Sequence, residues 1–403
     1  KVACKTLILA SHFKSSDYIG MLHDQAPEIG DCEPGQLELA NLTDLRSLVV
    51  ISDEAPAGMF RFDDIAAMAP EDAAGQLAIR AAVAQPDDAI NIQFTSGTTG
   101  NPKGATLSHF NILNNGLQVG AGMRFSEQDR LCIPVPLYHG FGMVMGNLAC
   151  MTHGACAVFP DEGFDPVSVL ETVAEEKCTA LHGVPTMFVA EVELPDVADY
   201  DTSTLRTGVM AGAPCPLELM HQVIDRLNMS EITIMYGQTE TSPVNHMTDI
   251  DAPAEKRCGT VGKVGPYQEI KIIGDDGRVV PLGEKGELCC RGYSVMQGYW
   301  DDAERTAETI DSAGWLHSGD LAEMDEEGYV QIVGRIKDMI IRGGENIYPR
   351  EVEEFLYTHP DIQEVQVFGV PDPKFGEIVC AWVQLKEGAT LSEEDVKAFC
   401  RDQ

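Results

Sequence analysis

The sequence is poor in positive charge: 28 Lys and Arg stand against 64 Asp and Glu, a formal net charge of -36. Such a surface repels nucleic-acid backbones and anionic membrane faces, so no nucleic-acid partner is expected. It leaves room for a nucleotide, which one local basic loop can hold. The twelve cysteines include no Cys-x-x-Cys pair, and their scatter over a long chain does not suit a disulfide scaffold. Reduced, mostly buried thiols are expected, with the adjacent Cys289 and Cys290 on opposite faces of a strand. No Gly-x-Ser-x-Gly elbow occurs. The one long apolar tract, residues 135–159, is broken by His139, Asn147, His153 and four glycines, which makes it a poor membrane span. The residues after Lys1 do not read as a secretory signal. These absences together lead to an expected cytoplasmic location.

What is present is a chain of 403 residues, 44% apolar, enough for two or three domains. Residues 2–10 and 48–51 have strand character, residues 55–88 read as a connector with one helix, and 90–94 form a short strand. Helical spacing follows over 108–118. This alternation continues to about residue 260 and predicts a layered α/β domain. The texture then changes. Segments 269–273, 278–280 and 287–290, with an Asp276-Gly277 turn, read as hairpins of a β-rich subdomain at about 262–335. A new unit begins near Gly334, with residues 338–341, a Gly343-Gly344 turn, a helix over 349–357 and a strand over 365–370. Ser392-Glu-Glu-Asp395 has the form of a capping box. The expected fold class is therefore a large layered α/β domain (1–335) with a β-rich subdomain. A small, mobile α+β C-terminal domain (336–403) follows, joined to it by a hinge.

The densest chemistry lies in residues 94–109, FTSGTTGNPKGATLSH. A Walker loop needs Gly-Lys-Ser/Thr opening a helix, whereas Lys103 stands between Pro102 and Gly104. A plain turn does not need a run of hydroxyls before a lysine. A phosphate cradle uses every residue type at once. Backbone N–H groups freed by Gly97 and Gly100, the hydroxyls of Thr95, Ser96, Thr98 and Thr99, and the Lys103 ammonium would surround phosphate oxygens. Further on, Met235-Tyr-Gly-Gln-Thr-Glu240 follows a strand-like run. Its aromatic, hydroxyl and carboxylate suit a base, a phosphate and a metal, or equally a polar strand end. Ala211-Gly-Ala-Pro214 is a small-residue turn, and Asp320 in Trp315-Leu-His-Ser-Gly-Asp320 fits a turn or cap. His139 fits a satisfied core residue, and the Gly140, Gly142, Met143 and Met145 that follow fit ordinary packing or an adaptable apolar wall.

On these motifs the chain resembles the AMP-forming adenylating enzymes, which include acyl-CoA synthetases, firefly luciferase and peptide-synthetase adenylation domains. The resemblance covers essentially the whole chain. The phrases GYSVMQGYW and IIRGGENIYPREVEEFL are most similar to the medium- and long-chain fatty acyl-CoA synthetases. The resemblance implies ATP and Mg²⁺ as cofactors and coenzyme A as co-substrate, with a fatty acid activated first as its adenylate. It implies that Tyr236 stacks on adenine, Thr239 contacts phosphate and Glu240 binds Mg²⁺. Gly212, Ala213, Pro214 and Gly237 would approach the base, while Asp320 would accept from the ribose hydroxyls and Arg335 touch the nucleotide. Lys103, Thr239, Glu240 and His139 would carry catalysis, with His139 between acyl and thiol channels. Lys337 would be the hinge, and Gly343 and Gly344 the loop that swings in for thioester formation. The chain stops before the family's C-terminal catalytic lysine motif, and its N-terminal part is shorter than the family's. It is therefore expected to be a piece of a longer enzyme, or else a short form that binds nucleotide and adenylates poorly. Carrier-protein loading and a non-catalytic nucleotide and acyl sensor are the alternative functions. Oligomeric state is open.

Overall fold

The computed structural model describes residues 2–95, 102–343, 345–386 and 388–401. Ser96, Gly97, Thr98, Thr99, Gly100 and Gly344 therefore lie outside the described residues. The chain divides into two compact units, Lys1–Gln85 and Pro86–Gln403.

The first unit is built on a parallel sheet of strands Thr6–Ala10, Ser47–Ile51 and Met59–Arg61, in that order. Ile29, Leu37, Leu48, Val50 and Met59 fill its core. The helix Tyr18–Gln25 is opened by Asp17, whose carboxylate accepts from the Gly20 N–H at 2.9 Å. Residues 55–88, expected to hold one helix, contain Ala73–Val83. They also hold the strand Met59–Arg61, which at three residues is too short to show a period.

The second unit is organised by a seven-stranded sheet. Its order is Lys263–Val264, His246–Met247, Glu231–Tyr236, Thr207–Ala211, Ala180–Gly183, Arg130–Cys132 and Cys156–Val158. The last five run parallel, and the first two are antiparallel additions at one edge. Parallel strands covered on both faces must be apolar on both. Here Leu181, Met210, Ile232 and Ile234 enter one core, with Val173, Phe188, Met220 and Val223 from the helices Pro166–Glu176, Pro185–Val192 and Leu217–Leu227. Ala180, Val209, Ala211 and Met235 enter the other, with Val119 from the long helix His109–Gly122 and Met123 from its C-cap. That helix starts as its sequence predicts. Ser108 accepts from the Asn111 N–H while Asn111 accepts from the Ser108 N–H, closing a capping box.

Residues 141–148 form a π-helix, Phe141–Leu148. Its Met145 carbonyl accepts from Nε2 of the fully buried His182 at 3.0 Å, while Nδ1 accepts from the Val209 N–H at 3.2 Å. Both ring nitrogens are satisfied, and burial lowers the His182 pKa to about 4. The histidine is thus a neutral strut between sheet and π-helix.

An antiparallel sheet follows, Gln268–Ile273, Gly286–Gly292, Leu316–Met324 and Val330–Arg335. The expected strand at 278–280 is reduced to one bridge, Ile273 to Val279. Cys289 and Cys290 are adjacent on the strand Gly286–Gly292, and both are buried. The C-terminal region has its own four-stranded sheet, ordered Glu345–Ile347, Ile340–Arg342, Gly376–Leu385 and Ile362–Asp372. Helices Pro349–Leu356 and Glu393–Phe399 accompany it, the second closed by the expected Ser392–Asp395 capping box. Among the described residues no helix is long and apolar enough to cross a membrane.

Candidate active site

Ligands of open α/β sheets gather at the carboxyl ends of the parallel strands. At the ends of Thr207–Ala211 and Glu231–Tyr236 a cavity of about 650 Å³ opens. Gly212, Ala213, Pro214, Tyr236, Gly237, Asp320, Arg335 and Lys337 line it, and the C-terminal region adds Arg350, Glu353, Gln366, Phe368 and Glu377. Two glycines are required here. Gly212 has φ +91°, a conformation that a side chain would strain. A Cβ on Gly237 would meet the Pro243 carbonyl oxygen at 2.0 Å.

Asp320 is the electrostatic centre of this wall. It is 3% exposed, and its Oδ2 accepts from the Tyr236 hydroxyl at 2.5 Å and from Gln238 Nε2 at 3.0 Å. Its Oδ1 pairs with Arg335 Nε at 3.0 Å, and the two residues are register partners on adjacent strands. Burial, reinforced by the neighbouring Asp320 charge, raises the Tyr236 pKa well above the ordinary phenol value, so the phenol stays a donor. The Tyr236 ring leans edge-on against buried His246 at 5.8 Å, and burial holds that histidine neutral with a pKa of about 3.

The strand leading to Asp320 is clamped from the side. Glu287 takes the Gly319 N–H on Oε1 at 3.1 Å and His317 Nδ1 on Oε2 at 2.8 Å, and Cys289 Sγ lies 3.6 Å from the same nitrogen. The donor atoms of Glu287, Cys289 and His317 lie within 4.8 Å of one another. Both carboxylate oxygens are already committed to the strand, so the trio acts as a clamp that sets the position of Asp320.

A second group is formed by Lys103, Tyr299 and Glu240, none of which is among the cavity's lining residues. Lys103 opens the strand Lys103–Ser108, and its ammonium donates to the Tyr299 hydroxyl at 3.1 Å while lying 4.7 Å from that ring's centre. The same hydroxyl donates to Glu240 Oε1 at 2.7 Å. Glu240 is 9% exposed, and its backbone carbonyl is tied to the Met296 N–H at 2.9 Å. Tyr299 is held by antiparallel pairing with Ala105. Thr95 ends the strand Ala89–Thr95 with a buried hydroxyl that has no hydrogen-bond partner among the described residues.

The structure thus brings Gly212, Ala213, Pro214, Tyr236, Gly237, Asp320, Arg335 and Lys337 to one cavity. It joins Lys103 to Glu240 through a residue that the sequence did not single out. Thr239 starts the short 3-10 helix Thr239–Thr241, next to Glu240. His139 is not among the cavity's lining residues. It sits exposed before the π-helix, its Nδ1 accepting from the Phe141 N–H at 3.1 Å. Gly343 makes a positive-φ turn, its N–H donating to the Phe375 carbonyl at 2.7 Å. Gln238 and Tyr299 were missed. Each lies inside a phrase that stands out in the sequence, YGQTE and QGYW, but their partners are distant in the chain.

The residues present fit a magnesium nucleotide. Glu240 Oε2 has no hydrogen bond among the described residues, and Lys103 has no ion pair there. An acidic oxygen and a cation are thus both available, and hard oxygen donors suit Mg²⁺.

This fold and site define an AMP-binding enzyme: the chain belongs to that family. The family model described as AMP-binding enzyme matches residues 22–300, and the AMP-binding enzyme C-terminal domain model matches 351–403. Among curated proteins, one named as an acyl-CoA synthetase, YngI of Bacillus subtilis, is 49% identical over 98% of this chain and 72% of its own length. The medium-chain acyl-CoA ligase ACSF2 of Rattus norvegicus is 43% identical over all of this chain, which spans 66% of that protein. Among solved structures, the anthranilate CoA ligase AuaEII in complex with anthranoyl-AMP has a TM-score of 0.79 at 27% identity, covering 98% of this chain and 70% of that one. ATP-bound MatB from Rhodopseudomonas palustris has a TM-score of 0.74 at 30% identity, covering 87% of this chain and 71% of that one.

Proposed function

We propose that the chain carries the nucleotide and acyl machinery of an ATP-dependent ligase that joins a medium-chain fatty carboxylate to coenzyme A. A carboxylate is a poor acyl donor because its oxygen leaves badly. Attack on the α-phosphate of ATP makes a mixed anhydride and releases pyrophosphate, and a thiol then displaces AMP. Nucleotidyl transfer of this kind rests on positioning and charge stabilisation. The observation that carries the reading is the buried Asp320 carboxylate on the cavity wall, bonded to Tyr236, with Glu240 shortly after Tyr236 in the chain and linked through Tyr299 to Lys103.

In this reading Asp320 accepts from the ribose diol and the turn Gly212-Ala213-Pro214 admits the base against Tyr236. Lys103, with the hydroxyls that precede it, receives phosphate oxygens, and Thr239 adds a hydroxyl beside them. Glu240 would hold Mg²⁺, whose charge neutralises the departing pyrophosphate. The partly exposed Met143 of the π-helix is the adaptable apolar side chain assigned to the acyl tail, with exposed His139 just before that helix. Lys337, on the short helix Ile336–Asp338 between the two sheets, is the pivot for the second step. The likeness to ACSF2 supports the medium chain length.

The test is a pair of assays across straight-chain acids from acetate to palmitate. Acid-dependent ATP–pyrophosphate exchange reads the first step, and thioester formation with coenzyme A reads both. The expected result is a maximum in both at six to ten carbons, roughly the medium-chain range. Exchange without any thioester would replace coenzyme A by a carrier protein. ATP binding without exchange would leave a sensor.

A further inference from the structure

We propose that Tyr299 is a positioning residue for the phosphate and metal end of the site, bridging Lys103 and Glu240 so that neither neutralises the other before the nucleotide arrives. The inference rests on the ligase reading above and deepens it. A lysine and a glutamate this close, in a partly desolvated place, attract each other strongly. A direct ion pair would withhold the ammonium from phosphate and the carboxylate from a cation. Instead the phenol stands between them at 3.1 Å from Nζ and 2.7 Å from Oε1.

The polarity of the bridge has only one solution. An ammonium has only protons to give and a carboxylate only lone pairs, so the phenol accepts from Lys103 and donates to Glu240. The arrangement consumes one carboxylate oxygen, leaves Oε2 for a ligand, and fixes the ammonium over the ring at 4.7 Å. The residue is built in rather than incidental. Tyr299 is 6% exposed, its N–H donates to Thr306 Oγ1 at 2.9 Å, and its strand pairs with the one that Lys103 opens. The Met296 N–H holds the Glu240 carbonyl from the same segment at 2.9 Å. One piece of chain, residues 296–299, therefore sets both the backbone and the carboxylate of Glu240.

The experiment uses the full chain as wild type, Tyr299→Phe, Glu240→Gln and the double variant. Calorimetry measures binding of ATP with Mg²⁺ and of ATP in a chelator, and thermal unfolding reports the fold. Tyr299→Phe keeps the ring and removes only the bridge. It is expected to weaken MgATP by about tenfold, the size of a hydrogen bond to a charged group, and metal-free ATP by less than about threefold. The double variant should bind MgATP no worse than Glu240→Gln alone, because both changes break one chain. Unaltered MgATP binding by Tyr299→Phe, or losses that add in the double variant, would overturn the bridge. If Tyr299→Phe melts early, 3-fluorotyrosine at position 299 replaces it. Its fluorine resonance should move on adding Mg²⁺ with ATP and stay put with ATP alone, and equal shifts would overturn the proposal. A wild type that binds no nucleotide would refute the ligase reading and the bridge with it; wild-type binding with an indifferent Tyr299→Phe refutes the bridge alone.

Discussion

Replacing Asp320 by Asn should erase the site's sensitivity to the ribose hydroxyls. The carboxylate has about four lone-pair sites, and three donors already occupy it: Tyr236 and Gln238 on Oδ2, and Arg335 on Oδ1. One place on Oδ1 is free for a ribose hydroxyl, and a second opens if Arg335 swings out. The Arg335 side chain is 53% exposed, so losing its pair costs no more than about 1 kcal/mol. Hydrogen bonds to a charged acceptor contribute about 1.5–3 kcal/mol each. Two such bonds less the arginine's release come to roughly 2–5 kcal/mol, or about 30- to 5,000-fold in affinity. The assay is calorimetric binding of ATP and of 2′,3′-dideoxy-ATP to both proteins. Wild type should prefer ATP by about that factor, and Asp320→Asn should bind the two within about threefold. The same preference in the variant as in wild type would remove Asp320 from the ribose site, however much its absolute affinity fell.

Two further predictions concern the hinge and the core. Lys337→Pro should slow thioester formation at least about tenfold while leaving ATP–pyrophosphate exchange within about threefold, since only the second step needs the pivot; equal losses in separate half-reaction assays would sink the hinge. Glu191 is fully buried with neither carboxylate oxygen hydrogen-bonded among the described residues, and burial raises its pKa well above the ordinary value. The folded state therefore keeps a proton that the unfolded state loses above about pH 4.5, so this group's contribution to stability falls as pH rises from there toward the folded pKa. Glu191→Met should gain on wild type by up to about 1.4 kcal/mol per pH unit between pH 5 and 7. A stability difference that denaturant titrations find independent of pH would show that Glu191 is not held neutral.

Local signals made much of this protein legible from sequence. Ser392 with Asp395 closes the expected capping box within one turn, and helical spacing marks the segment from 108, where the structure adds a Ser108–Asn111 box. The apolar runs at 48–51, 90–94 and 232–235 are strands because β-branched and aromatic residues fit a pleated sheet. Asp320, Arg335 and Lys337 are singled out by the family resemblance, and the chain places all three at one cavity. Tertiary structure alone decided the rest. Strand order in the seven-stranded sheet is not sequence order, because parallel strands are joined by crossovers whose landing place depends on packing. The strand expected at 278–280 is a single bridge, since alternation does not say whether a neighbour will be there to pair with. Tyr299 meets Lys103 across 196 residues and Glu240 across 59, and Gln238 meets Asp320 across 82. No periodicity or spacing encodes such contacts. They exist because a buried polar group must find a partner wherever folding brings one.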